Sequence, residues 1–108
     1  MNLQTELFGT VLVVHTPDEL CFEHTERFET FLAGLESRHV VLDMDHTESL
    51  DSGGLTSILT AQENLRARKG DLKIAATSAI NRKILEMTRL DQQLEVFESV
   101  VDAVNSFR

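Results

Sequence analysis

Tryptophan and tyrosine are absent from this 108-residue chain, and six phenylalanines are its only aromatics. A base-stacking platform or a sugar-binding aromatic shelf is hard to build from that set. The lone cysteine, Cys21, excludes an internal disulfide framework and fits a reducing compartment. Basic residues are scarce: ten against eighteen acidic ones, a formal net charge of −8. Such a surface repels phosphate backbones, which argues against nucleic-acid binding. No apolar run approaches the roughly 18–20 residues that a membrane helix needs, so direct membrane insertion is not expected. Met1 to Glu6 has neither a basic n-region nor an apolar h-region, so it does not read as a secretory signal, and the expected setting is the cytoplasm. There is no internal repeat, linker or low-complexity stretch, and the length fits one domain over residues 1–108.

What is present alternates. Val11–His15 reads as a short buried strand bounded by Gly9 and Pro17, with a weaker strand before it around Leu3, Leu7 and Phe8. Phe28, Phe31, Leu32 and Leu35 fall at helical spacing and predict an amphipathic core helix ending near Gly34. Val40-Val41-Leu42 reads as a strand buried on both faces, followed by Asp43. Leu55, Ile58, Leu59, Gln62 and Leu65 mark a second helix, ending in Arg66, Arg68 and Lys69 with Gly70 as its stop. Leu72–Ala76 is a further strand. Ile80, Ile84, Leu85 and Met87 suggest a third helix, Leu94–Phe97 a last short strand, and Val100, Val101, Val104 and Phe107 a terminal helix. This order predicts an α/β fold: a mixed four- to five-stranded β-sheet, mainly parallel, with about four α-helices near 24–35, 53–69, 79–88 and 99–107.

In such sheets, sites lie beyond the carboxyl ends of strands. The unusual segment there is Asp43 to Leu55, where a polar loop leads into Asp51-Ser52-Gly53-Gly54 at the start of a helix. Asp51 or Ser52 can cap that helix. Two glycines in its first turn are costly, since each is about 1 kcal/mol worse than alanine inside a helix. One reading is that they offer bare backbone to another molecule. The plainer reading is a cap followed by loop residues, and spacing alone leaves both open.

The segments Val40–Asp43, Leu50-Asp-Ser-Gly-Gly-Leu55, Arg68–Ala75, Ile80–Leu90 with its Thr88-Arg89-Leu90 turn, and Phe97-Glu98-Ser99 together resemble a STAS domain of the anti-sigma-factor antagonist type. The match runs through nearly the whole chain in order. The resemblance implies a non-enzymatic binding module without catalytic residues or a cofactor. It implies that Ser52 is phosphorylated by a partner, an anti-sigma factor with serine kinase activity, and that a serine phosphatase resets the switch. Asp51 would orient Ser52, and Gly53, Gly54, Leu55, Asp18, Glu19 and Cys21 would join Asp51 and Ser52 in facing the partner. Two departures stand out: Gly53 replaces a frequent second hydroxyl residue, and Asp18-Glu-Leu-Cys21 stands where the family often reads Gly-x-Leu-Asp.

Other readings are poorer. Cys21 and His24 are at most half of a metal site, and His15, His39 and His46 add no paired ligand spacing. Ser52 lacks the Gly-x-Ser-x-Gly elbow of a hydrolase, with His46 the nearest base in sequence. Gly53-Gly54 precedes Leu55, not the Lys-Ser/Thr of a phosphate-binding loop. Arg82, Lys83 and Arg89 beside Asn81 read as a solvated basic group. A receiver domain phosphorylated at Asp43 would need an acidic Mg²⁺-binding pair after the first strand, where Thr16-Pro17 stands instead, and would place Lys73 at its strand's end. A STAS subunit of a membrane lipid transporter stays open.

Overall fold

The computed structural model describes residues 1–87, 89 and 92–107, without the side chains of Ile80, Asn81, Ile84 and Met87. Thr88 and Leu90 of the expected turn therefore lie outside the described residues. Strand β1 (Thr5–Phe8) turns back onto β2 (Val11–His15). After β3 (Glu19–Leu20), the chain makes a 3-10 turn (Phe22–His24) and then α1 (Thr25–Ala33). Next come β4 (His39–Asp43), β5 (Ser49–Leu50), α2 (Ser52–Ala67), β6 (Asp71–Ala75), α3 (Ala79–Met87), β7 (Val96–Phe97) and α4 (Val100–Asn105). The main sheet has the order β1-β2-β4-β6-β7, antiparallel between β1 and β2 and parallel elsewhere. The α/β class, the five strands and the helix positions are those expected from the alternating order. The two-residue strands β3 and β5, which form a small parallel sheet of their own, carry no periodic signal and were not expected.

Alternation along the central strands sorts the core into two layers. Val40, Leu42, Leu72 and Ile74 face a cluster with Phe28 and Leu32 of α1, Leu55, Ile58 and Leu65 of α2, and Leu85 of α3. Val41 and Ala75 face Ala103 and Val104 of α4. Lys73 points to the α4 side, which explains a lysine inside a buried strand. Its ammonium donates to the Ser106 carbonyl at 3.2 Å and hydroxyl at 2.9 Å, pairs with Glu95 at 3.3 Å, and sits 4.3 Å from the Phe107 ring centre. The carboxyl ends of β2 and β4 are joined by His15, whose Nδ1 meets the Asp43 carboxylate at 2.9 Å and whose Nε2 meets Glu6 at 2.8 Å.

The end of α2 differs from expectation. Lys69, not Gly70, takes the left-handed conformation, at φ 65°. The Lys69 N–H donates to Arg66 O at 3.0 Å and the Gly70 N–H to Leu65 O at 2.8 Å, which satisfies the last helical carbonyls. Gly70 is required for another reason. A Cβ there would lie 2.0 Å from the Arg38 carbonyl oxygen, next to the start of β4. The two neighbours should therefore respond with opposite signs. Lys69→Gly relieves a left-handed side chain and should raise the unfolding free energy by up to about 1 kcal/mol. Gly70→Ala should lower it by about 1–3 kcal/mol through overpacking. Urea unfolding midpoints of the two variants check the pair, and equal signs would contradict this account.

Candidate functional site

The segment between β4 and α2 is tied down from two sides. The Asp43 carboxylate accepts the Asp45 N–H at 3.0 Å, and the Asp45 carboxylate accepts the Thr77 N–H at 2.7 Å and the Thr77 hydroxyl. Burial alone would raise the Asp45 carboxyl, but its hydrogen bonds, those from Thr77 first and then those with Asp43 and Ser78, together hold it below its ordinary value. On the other side, the Thr47 hydroxyl donates to Pro17 O at 2.6 Å, and the N–H groups of Glu48 and Ser49 donate to Asp18 O at 2.8 and 3.1 Å. These contacts set β5 beside β3 and bring residues 18–22 against the first turn of α2.

Asp51 joins the two pieces. One carboxylate oxygen accepts the Gly54 N–H at 2.9 Å, the N-cap bond of α2; the other accepts the Phe22 N–H at 2.9 Å. The hydrogen bonds from Phe22 and then Gly54 hold the Asp51 carboxyl below its ordinary range. Ser52 is the first residue of α2 and is exposed, its carbonyl accepting the Thr56 hydroxyl at 2.9 Å. Asp51, Ser52 and Gly53 line a shallow surface groove with Phe22, Glu29 and Thr56.

The two glycines have an internal cause. A Cβ on Gly54 would lie 1.9 Å from the Leu20 carbonyl oxygen, and a Cβ on Gly53 would lie 2.9 Å from the Phe22 Cα. The segment that approaches this bare backbone is the chain's own residues 20–22, which gives both glycines a packing role whether or not a partner also reaches Gly53 in the groove. Gly54 and Leu55 are buried, Leu55 within the core. Asp18 and Glu19 are exposed on the adjoining segment.

Cys21 is half-buried and precedes the 3-10 turn. Burial, followed by the carboxylates of Asp51, Glu19 and Glu23, pushes its thiol up, which disfavours the thiolate needed for nucleophilic or metal chemistry. Arg82 of the basic group is committed to Glu98 at 2.7 Å, while Lys83 and Arg89 are exposed. Phe22, 76% exposed beside Ser52, was not singled out in the sequence. It sits on a 3-10 turn with no helical or strand period, so only an aromatic isolated among Glu19, Glu23 and Glu26 could have marked it.

The family model for the STAS domain matches residues 2–103. No curated protein sequence matches the chain. Among solved structures, an anti-sigma factor antagonist from Mycobacterium paratuberculosis is 20% identical, with a TM-score of 0.84 over 97% of this chain and 92% of that one. SpoIIAA, an anti-sigma factor antagonist, superposes in its unphosphorylated form with a TM-score of 0.77 at 17% identity, over 99% of this chain and 96% of that one. The phosphorylated form, described as a Bacillus cell fate determinant, gives 0.68 at 17% identity, over 99% and 100%.

Two outcomes check the geometry. Gly54→Ala should destabilise the fold by about 1–3 kcal/mol through overpacking against Leu20, although alanine is the better helix former; a stabilised variant in urea unfolding would contradict the contact. The depressed folded carboxyl of Asp51 contributes stability above the unfolded value of about 3.9. That contribution is lost as pH falls through the lower folded value. Asp51→Asn, which cannot accept both N–H groups as a carboxylate, should be less stable than wild type at neutral pH, with the gap closing as pH falls below about 4. Unfolding curves across that range measure it.

Proposed function

This chain belongs to the STAS domain family, and from that premise we propose that it is an anti-sigma-factor antagonist whose partner binding is switched at Ser52. Unphosphorylated, it holds an anti-sigma factor that is also a serine kinase; phosphorylated, it releases that partner, and a serine phosphatase resets it. The switch acts in the cytoplasm. Among the described residues no helix is long and apolar enough to cross a membrane. The observation that carries the reading is Ser52 itself: an exposed hydroxyl on the first residue of a helix, beside a pinned carboxylate and in a groove. The fold likeness to antagonists, one of them solved in both phosphorylation states, supports it.

The chemistry favours an interface effect over a stability effect. A phosphoryl group adds about −1.5 to −2 charge at pH 7. At a helix N-terminus the dipole favours an anion, so the fold tolerates it. In a close, dry contact the same group is bulky, strongly hydrated and next to Asp51, and burying it without paired cations is costly. The domain then acts by binding and release, with no catalytic residue of its own.

Intact-mass analysis after incubation with the anti-sigma kinase of the source organism and ATP should show one phosphoryl group on the wild type and none on Ser52→Ala. Ser52→Ala should bind that kinase constitutively. Ser52→Asp should mimic release, imperfectly, with its single charge. A phosphorylated Ser52→Ala, or a Ser52→Asp that binds as tightly as wild type, overturns the switch.

A further inference from the structure

Phe22 is the most exposed of the large apolar side chains described. A phenyl ring left 76% exposed gives almost nothing to folding through burial. Its backbone is nevertheless held from three sides. The N–H donates to the Asp51 carboxylate at 2.9 Å, the carbonyl accepts the Thr25 hydroxyl at 3.1 Å, and the Cα lies over Gly53, where a side chain would meet it at 2.9 Å. The ring is thus presented from a fixed base. It shares its groove with Ser52, whereas the exposed Val101 lies on α4, across the sheet.

The charge around the ring has one sign. Asp51 and Glu29 line the groove, no basic side chain does so among the described residues, and Asp18, Glu19 and Glu23 are exposed on the flanking segment. An aromatic anchor inside a polar rim is the usual anatomy of a binding hot spot. We propose that Phe22 is the anchor by which this chain engages its kinase partner, the ring entering an apolar pocket rimmed by lysine or arginine. This rests on the proposed antagonist function and names the surface that carries it. It also gives the switch a mechanism of release. A phosphoryl group on Ser52 stands in the same groove as the ring, bringing a hydrated anion to the mouth of the pocket.

The test is binding of the purified anti-sigma kinase of the source organism to the wild-type chain, Phe22→Ala and Phe22→Leu, with unfolding midpoints measured alongside. Phe22→Ala should weaken affinity about tenfold or more, mainly through faster dissociation, with an unchanged midpoint because the ring is exposed. Phe22→Leu, which keeps apolar bulk, should recover most of the loss. Added salt should slow association and leave dissociation nearly unchanged, the signature of a basic rim meeting acidic residues. A wild type that does not bind overturns the antagonist reading and the anchor with it. A wild type that binds while Phe22→Ala stays within about twofold of it overturns the anchor alone, since a hot-spot side chain would cost more. A salt-independent association rate overturns the basic rim.

Discussion

The Asp51 carboxylate is the contact on which the site depends. The sheet formed by β3 and β5 is two residues long on each strand, far too short to hold itself. What fixes residues 18–22 is a set of local constraints: Asp18 O accepting two N–H groups, Leu20 O pressed against Gly54, and Phe22 N–H bound to Asp51. The same carboxylate caps α2. One side chain therefore starts a helix and docks a loop. The position of Ser52 relative to Phe22 follows from that pair of hydrogen bonds together with Leu20 and Leu55, which share the core beneath it.

The larger fold supplies the platform. Parallel strands β2, β4 and β6 end on the same side, and their carboxyl ends carry His15, Asp43 and Ala75 in register. From that edge Asp43 passes the restraint to Asp45 and Asp45 passes it to Thr77. The loop that leads to α2 is thereby anchored to the strand ends on both sides. Behind it, α2 buries Leu55, Ile58 and Leu65 against the sheet, so its first turn cannot shift without disturbing the core.

Much of this was legible in the residues. Continuous apolar strands and helical stripes report burial, and burial decides the class and order of elements. Val40, Val41 and Leu42 read as buried on both faces because they face two separate layers. The Asp-Ser-Gly-Gly turn likewise marked the start of α2. What was not legible is what depends on close approach between segments distant in sequence. The reach of Leu20 O over Gly54, of Arg38 O over Gly70, and of Phe22 N–H to Asp51 leaves no periodic trace. A glycine reports that something comes close, not whether the neighbour belongs to the same chain. Lys69 illustrates the converse: beside a glycine, the residue in the left-handed conformation was the one with a side chain.

The hydrogen bonds at Asp51 also bear on how a phosphoryl group at Ser52 would act. Because the N–H donors hold the Asp51 carboxyl below its ordinary range, it stays ionised throughout the neutral range. A helix N-terminus offers roughly half a positive charge, and a phosphoserine brings about −1.5 to −2. The dipole cannot neutralise the phosphate and the carboxylate together. The excess negative charge lies on the groove face, where water can solvate it in the free chain and a partner's apolar contact cannot. Asp51 is a fixed charge across neutral pH, so any pH dependence of the repulsion comes from the phosphoryl group, whose second ionisation lies at about pH 6, and the stability and the binding state of the groove would be governed by different features of the same helix end.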